Sequence, residues 1–281
     1  MDASERRVTV VGPDDRTAEI RKAIDGVAGC VGDVLPTTTA PAVSSDAADA
    51  AIVVAVGREA LRDTVAAAPN GTVIPVGRDR LALDVGRLRD VLNRGFADGP
   101  TAADTAALAS NEALDAALAP IDGVRRARHP VLAVDGVSAS SQAALDVAFV
   151  TDSPARISEF AIAFGYGTPA TFRADGVVIA TPLGSDGYAN AAGAPIVEPG
   201  GGLAVTPIAP FSTQTDSWIA ASELTVTVER EEEPVALVVD GARRELVEPN
   251  RPIAIGVTDR VDLVVATPRP ERDDRKHSNN S

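Results

Sequence analysis

Cysteine, lysine, histidine and aromatic side chains are all scarce in this 281-residue chain, and each scarcity removes a class of function. A single cysteine, Cys30, forbids an internal disulfide, and with only His129 and His277 beside it no Cys/His zinc set can be assembled. No uninterrupted apolar run approaches the roughly 20 residues of a membrane helix. The opening Met-Asp-Ala-Ser-Glu-Arg-Arg has no apolar signal core, so the sequence predicts a cytoplasmic protein without a membrane partner. Only Lys22 and Lys276 among the 26 basic residues are lysine, and 40 acidic residues outnumber them. The resulting net charge of −14 argues against nucleic acid, whose binders present a basic face. Neither a Walker A lysine loop nor a Gly-x-Gly-x-x-Gly fingerprint is present.

An acidic, arginine-biased composition with 3% aromatics fits a protein kept soluble by its charge in a high-salt cytoplasm, where ions screen self-repulsion. An ordinary acidic protein from a GC-rich genome would carry the same bias. Apolar residues make up 45% of the chain, enough for one large or two ordinary cores.

The first part of the chain alternates short β-rich runs with helical patterns. Residues 7–11 read as a strand stopped by Gly12-Pro13, a helix starts at Asp15 and runs to about Ala28, and residues 51–56 form a strand stopped by Gly57. A helix over 58–68 and a strand over 72–76 complete a βαβ grammar, which predicts a parallel sheet covered by helices. Residues 35–45 read as a loop or ragged strand, and 85–119 as alanine-rich helix. After a turn at 120–123 the grammar changes to β-runs at 131–134, 144–150, 158–164, 176–180, 203–207, 224–229, 235–239, 252–256 and 261–266, separated by Gly, Pro, Asp and Ser. The expected organisation is an α/β domain over 1–122, a β-rich, largely antiparallel domain over 123–267, and a charged, apolar-free tail over 268–281 that is expected to be disordered.

The most informative stretch, Thr181-Pro182-Leu183-Gly184-Ser185-Asp186-Gly187-Tyr188-Ala189-Asn190-Ala191-Ala192-Gly193-Ala194-Pro195, sets a glycine-rich polar turn directly after the buried-strand pattern 176–180. It resembles the Thr-Pro-Thr-Gly-Ser-Thr-Ala-Tyr-x-x-Ser-Ala-Gly-Gly-Pro-Ile segment of the NAD kinase family. Four further segments match that family in order: 152–160 (Asp-Ser-Pro-Ala-Arg-Ile-Ser-Glu-Phe), 174–182 (Ala-Asp-Gly-Val-Val-Ile-Ala-Thr-Pro), 206–212 (Thr-Pro-Ile-Ala-Pro-Phe-Ser) and the Val239-Asp240-Gly241 hairpin.

The resemblance implies an α/β N-terminal domain and a β-rich C-terminal domain with NAD held between them, several subunits associating, and transfer of a phosphoryl group from ATP, with magnesium, to the adenosine 2′-hydroxyl of NAD. It also implies a Gly-Gly-Asp-Gly loop whose backbone cradles phosphate and whose Asp activates the hydroxyl. At that place this chain has Val56-Gly57-Arg58-Glu59, keeping one glycine and putting a guanidinium, which accepts no proton, where the carboxylate belongs. The family's Asn-Asp pair becomes Leu145-Asp146. In the turn, Asp186 and Gly187 replace Thr-Ala, and Ala191 replaces the second Ser.

Carried over position by position, the resemblance makes Gly57, Arg58, Asp146, Thr181, Gly184, Ser185, Asp186, Tyr188 and Ala191 the ligand-binding candidates. Asp146 and Asp186 become the candidates either for binding ribose hydroxyls or for replacing the lost base. Each has a plainer reading. Asp186 suits a turn for its own backbone bonding, Arg58 suits a solvated first helical turn as well as a phosphate, and Tyr188 suits apolar packing. His129, before Pro130, reads as a boundary residue. Two functions follow: an NAD kinase with relocated catalytic groups, or a non-catalytic nucleotide-binding or regulatory homologue. The family's chains return to the N-terminal domain through a last apolar helical segment, which residues 268–281 cannot supply, so loose contact between the halves is expected.

Overall fold

The computed structural model describes residues 6–27, 30–36, 52–67, 71–95, 115, 118–119, 121–138, 140–152, 157–230 and 233–267. In the first half, β1 (Arg6–Gly12), β2 (Cys30–Pro36), β3 (Ile52–Val56) and β4 (Thr72–Val76) lie parallel in the order β2-β1-β3-β4. All five residues of β3 and of β4 are buried, as expected for strands covered on both faces. Helix α1 (Asp14–Asp25) turns Thr17, Ile20, Ala23 and Ile24 inward at helical spacing. It packs with α3 (Val85–Asp90) against one face, where Val8, Val10, Val54, Ile74 and Leu88 meet. Helix α2 (Arg58–Ala66) covers the other face with Ala60, Leu61 and Val65.

The second half folds as strands. A six-stranded antiparallel sheet runs in the order β12 (Trp218–Ala220), β11 (Leu203–Ile208), β10 (Gly176–Ala180), β7 (Asp146–Thr151), β14 (Val235–Val239), β15 (Ala242–Leu246). It packs on a layer made of β5 (Val124–Asp135), β6 (Ser141–Ala143), β8 (Ser158–Phe164), β9 (Ala170–Ala174), β13 (Glu223–Arg230) and β16 (Ile253–Ala266). The alternating inward residues of both layers, among them Phe149, Phe160, Ile162, Ile179, Val205 and Leu237, form the core between them. This is the architecture expected from the sequence, a parallel sheet with helices followed by a largely antiparallel β half.

Strand β16 joins the halves. It pairs antiparallel with β13 and β5, and its far end pairs parallel with β4 through Asp262↔Thr72 and Leu263↔Val73, so the second β layer and the parallel sheet are one ten-stranded sheet. Ala266 N–H donates to Leu81 O (3.0 Å) and Thr267 N–H to Gly123 O (2.8 Å). Val261, Leu263 and Val265 then pack with Val53, Ala55, Leu61 and Val73 of the first half and with Leu145 and Leu183 of the second. The expected looseness between the halves is therefore corrected: the apolar return is a strand ending before residue 268. The tail 268–281, the loop over 37–45 and the helix over 96–114 lie outside the described residues. Residues 35 and 36, by contrast, end β2, and 91–95 form a π-helical turn after α3.

Candidate functional site

The turn after β10 is built on the backbone of residues 144–145. Thr181, fully buried, sends its Oγ1–H to Ala144 O (2.7 Å) and Leu145 O (3.0 Å), and its own N–H donates to Leu145 O (2.8 Å). Gly184 packs so closely on this segment that a Cβ would stand 2.1 Å from Leu145 O, which makes glycine obligatory. Ser185, also fully buried, donates to Pro182 O (2.9 Å) and accepts from Val197 N–H (2.9 Å), stitching the turn to the segment beyond α4 (Tyr188–Ala191). Thr181, Gly184 and Ser185 thus hold the shape of the turn from beneath. Ala191, exposed, ends α4.

Across from the turn, Asp240 at the β14–β15 hairpin has a left-handed φ of 50°. Its carboxylate accepts three amides, from Ala144 (2.9 Å), Leu145 (2.7 Å) and Asp146 (3.0 Å), while its own N–H donates to Asp146 O (2.9 Å). One side chain thereby satisfies three successive N–H groups of the irregular segment that enters β7. The Asp146 side chain is aimed by this lock and by its pairing with Ala180.

Asp146 opens onto a cleft of about 560 Å³ whose apolar floor is Ala148, Val150, Ala236 and Val238 and whose walls are Arg58, Tyr188, Asp240 and Gly241. An Arg243–Asp152 ion pair stands at its exposed rim. A cleft of this size with an apolar floor and few polar groups has the make-up of a small-molecule site. Burial, and secondarily the Asp240 charge, push the Asp146 carboxyl up to about 6, against a smaller downward pull from Arg58. Tyr188 is 47% exposed and lines the cleft, and its phenol is pushed up by partial burial and by Asp146.

Gly57 sits at the N-terminal end of α2 with φ 87°, a conformation that favours glycine, and its N–H bonds to Val76 O (2.9 Å). Arg58, the first helical residue, reaches across the junction. Its Nη1 donates to Asp186 Oδ1 (3.0 Å) and its Nη2 to Leu183 O (3.1 Å). Asp186 faces away from the cleft, into a small pocket behind Arg58 that it shares with Arg80. The structure therefore brings Arg58, Asp146 and Tyr188 together on one cleft and sets Asp186 on the far side of Arg58. Sequence reading assigned no role to Arg80, Arg243 or the apolar floor, and placed Asp240 only in a matched hairpin. The alternating pattern of β14 was the one available signal for the floor.

His129 lies in the middle of β5, 2% exposed, its Nε2 donating to Ala144 O at 2.9 Å. Burial lowers its imidazole to about 4 and keeps it neutral. It braces the segment that carries Asp146 and does not reach the cleft. Among the described residues no group of three or more His, Cys, Asp or Glu side chains is placed to hold a metal ion. Nor, among them, is any helix long and apolar enough to cross a membrane.

Residues 146–266 match the ATP-NAD kinase C-terminal domain family. The NAD kinase of Methanoculleus marisnigri is 37% identical over 125 residues, 43% of this chain and 46% of that protein. The NAD kinase of Methanospirillum hungatei is 42% identical over 94 residues, 33% of this chain and 35% of its own. The matches thus span less than half the length of these relatives. Among solved structures, an NAD kinase from Archaeoglobus fulgidus in complex with ATP superposes with a TM-score of 0.62 over 92% of both chains at 19% identity. A yeast NADH kinase complexed with NADH gives 0.65 over 94% of this chain and 84% of that one at 14% identity. The sequence match runs through the cleft from Asp146 onward and the fold is shared over nearly the whole chain: residues 146–266 are similar to the ATP-NAD kinase C-terminal domain, on a fold that the chain shares with solved NAD kinases.

Proposed function

We propose that the cleft takes the adenosine and ribose of NAD and that the protein phosphorylates NAD to NADP with Mg-ATP, Asp146 serving as the base. The observation that carries this reading is the Asp146 carboxyl itself. It is buried, aimed into the cleft by Asp240, and raised to about 6, near the pH at which a general base works best. Its relatives are NAD kinases, and solved neighbours hold ATP or NADH. Deprotonated, Asp146 accepts the proton of a ribose hydroxyl as that oxygen attacks the terminal phosphorus. The bond from this phosphorus to the bridging oxygen breaks, and ADP leaves with the electron pair. Magnesium enters as part of the nucleotide substrate, since the nearby carboxylates are already committed: Asp240 to three amides and Asp186 to arginine. A cytoplasmic, salt-adapted homo-oligomer remains our reading of the composition and the family.

One observation favours a second reading. Arg58 stands where the family has its activating Asp and cannot act as a base, so a nucleotide-binding or regulatory homologue without turnover is the alternative. Incubation with NAD and Mg-ATP, with NADP measured against an Arg58→Asp variant, separates the two. NADP from the unmodified protein establishes the kinase. NAD bound in calorimetry without turnover establishes the binding homologue, and no NAD binding sinks both.

A further inference from the structure

Three of the residues by which the turn and the α2 loop depart from the family pattern, Arg58, Asp186 and Gly187, lie against one another. Arg58 uses one nitrogen on Asp186 and another on a main-chain carbonyl, so its planar fork is not spent on a single carboxylate. At Gly187 a Cβ would stand 2.9 Å from Arg58 Nη2, so a larger residue there would crowd the guanidinium off Asp186. Behind them, Arg80 Nε is buried with no hydrogen-bond partner among the described residues, 3.9 Å from the other Asp186 oxygen. The rest of Arg80 is engaged: its Nη1 donates to Glu198 (3.0 Å) and its Nη2 to Val197 O (3.0 Å), which fixes the guanidinium. Two arginines of the N-terminal half thus converge on one carboxylate of the C-terminal turn, with a short step between a made bond and an unmade one.

We propose that Arg58 is the phosphate ligand of the cleft and that Asp186 is its resting counter-ion, displaced onto Arg80 Nε when a nucleotide polyphosphate enters. This rests on the nucleotide reading above. A phosphate group offers several oxygens and more charge than the single carboxylate oxygen now held, in the bidentate geometry that a guanidinium fork fits. The displaced Asp186 carboxylate does not become an unpaired charge, because the orphaned Nε of Arg80 receives it. Arg58 already forms part of the cleft wall, so the exchange needs a side-chain rotation and no opening of the fold.

The test uses the full chain, calorimetric titration with sodium tripolyphosphate at fixed ionic strength, and adenosine as a phosphate-free control. Arg58→Gln is expected to weaken tripolyphosphate by at least about tenfold, the size of one lost charge-assisted bond, and adenosine, which has no phosphate, by far less. Asp186→Asn removes the competing carboxylate and is expected to tighten tripolyphosphate several-fold, a gain that misfolding cannot produce. Arg80→Gln removes the receiving donor and is expected to weaken it. Equal affinity in Arg58→Gln and the unmodified protein, or no gain in Asp186→Asn, overturns the exchange. If adenosine and NAD both fail to bind, the nucleotide reading itself has failed, whatever tripolyphosphate does.

Discussion

Asp146 and Gly184 illustrate how single side chains set the chemistry. Asp146→Asn removes the proposed base and is expected to lower NADP formation by about 10² to 10⁴-fold with NAD affinity little changed. In the unmodified protein, the proposed turnover should rise with pH through about 6 as the Asp146 carboxyl loses its proton, a limb that a pH–rate profile would locate. Gly184→Ala acts without touching the chemistry. The added carbon would overlap Leu145 O, so the turn must move, and a loss of about 3 kcal/mol or more in urea unfolding is expected. The roles of Gly184 and Arg58 were legible to different degrees. A glycine-rich turn after a buried strand announces itself in the sequence. An ion pair between residues 128 positions apart does not, and neither does an aspartate whose carboxylate accepts three successive backbone amides.

At the scale of elements, β5 and β7 carry two titrating groups with opposite effects on stability. His129 on β5 titrates at about 4 when folded and 6.5 when unfolded, so its contribution is full above pH 6.5 and is lost as pH falls towards 4. Asp146 on β7 goes from 3.8 unfolded to about 6 folded, so its burial costs nothing below 3.8 and the penalty is complete above about 6. Each spans about 3 kcal/mol at most, and over this shared window they largely cancel. Asp146→Asn should therefore stabilise the protein by about 2 kcal/mol at pH 7.5 and make it lose stability steeply on acidification. His129→Leu should make stability rise towards pH 4.5, since Ala144 O keeps its bond from Thr181. Urea midpoints of both variants at pH 4.5 and 7.5 check the signs; parallel slopes in all three proteins would contradict the assignment. The strands around these residues were mostly readable from apolar alternation. β16 read as two strands because Thr258-Asp259-Arg260 is exposed at a bulge beside Val257, and β9, β12 and β15 were missed because they are short edge segments with little buried pattern.

Across the whole molecule, the parallel sheet and the β half share β16 and one apolar junction, so the two halves should unfold together. Trp218, the sole tryptophan, packs against Phe164 and Phe172 and reports on the C-terminal half, whereas α1 and α2, which dominate the helical signal of the described residues, belong to the N-terminal half. Leu263→Ala deletes buried volume where Leu145, Leu183 and Val53 meet, at a cost of about 2 to 5 kcal/mol. Because the lost contacts belong to both halves, tryptophan fluorescence and helical circular dichroism should shift to lower urea by the same amount and stay coincident. Separate midpoints would mean that the junction is not the common core. The same experiment repeated from dilute buffer to molar KCl tests the charge argument. With a net charge of −14, screening should raise both midpoints together, because self-repulsion acts on the entire surface, whereas the salt-sensitive pairs across the junction, Arg58–Asp186 and Arg80–Glu198, are few and its core is apolar.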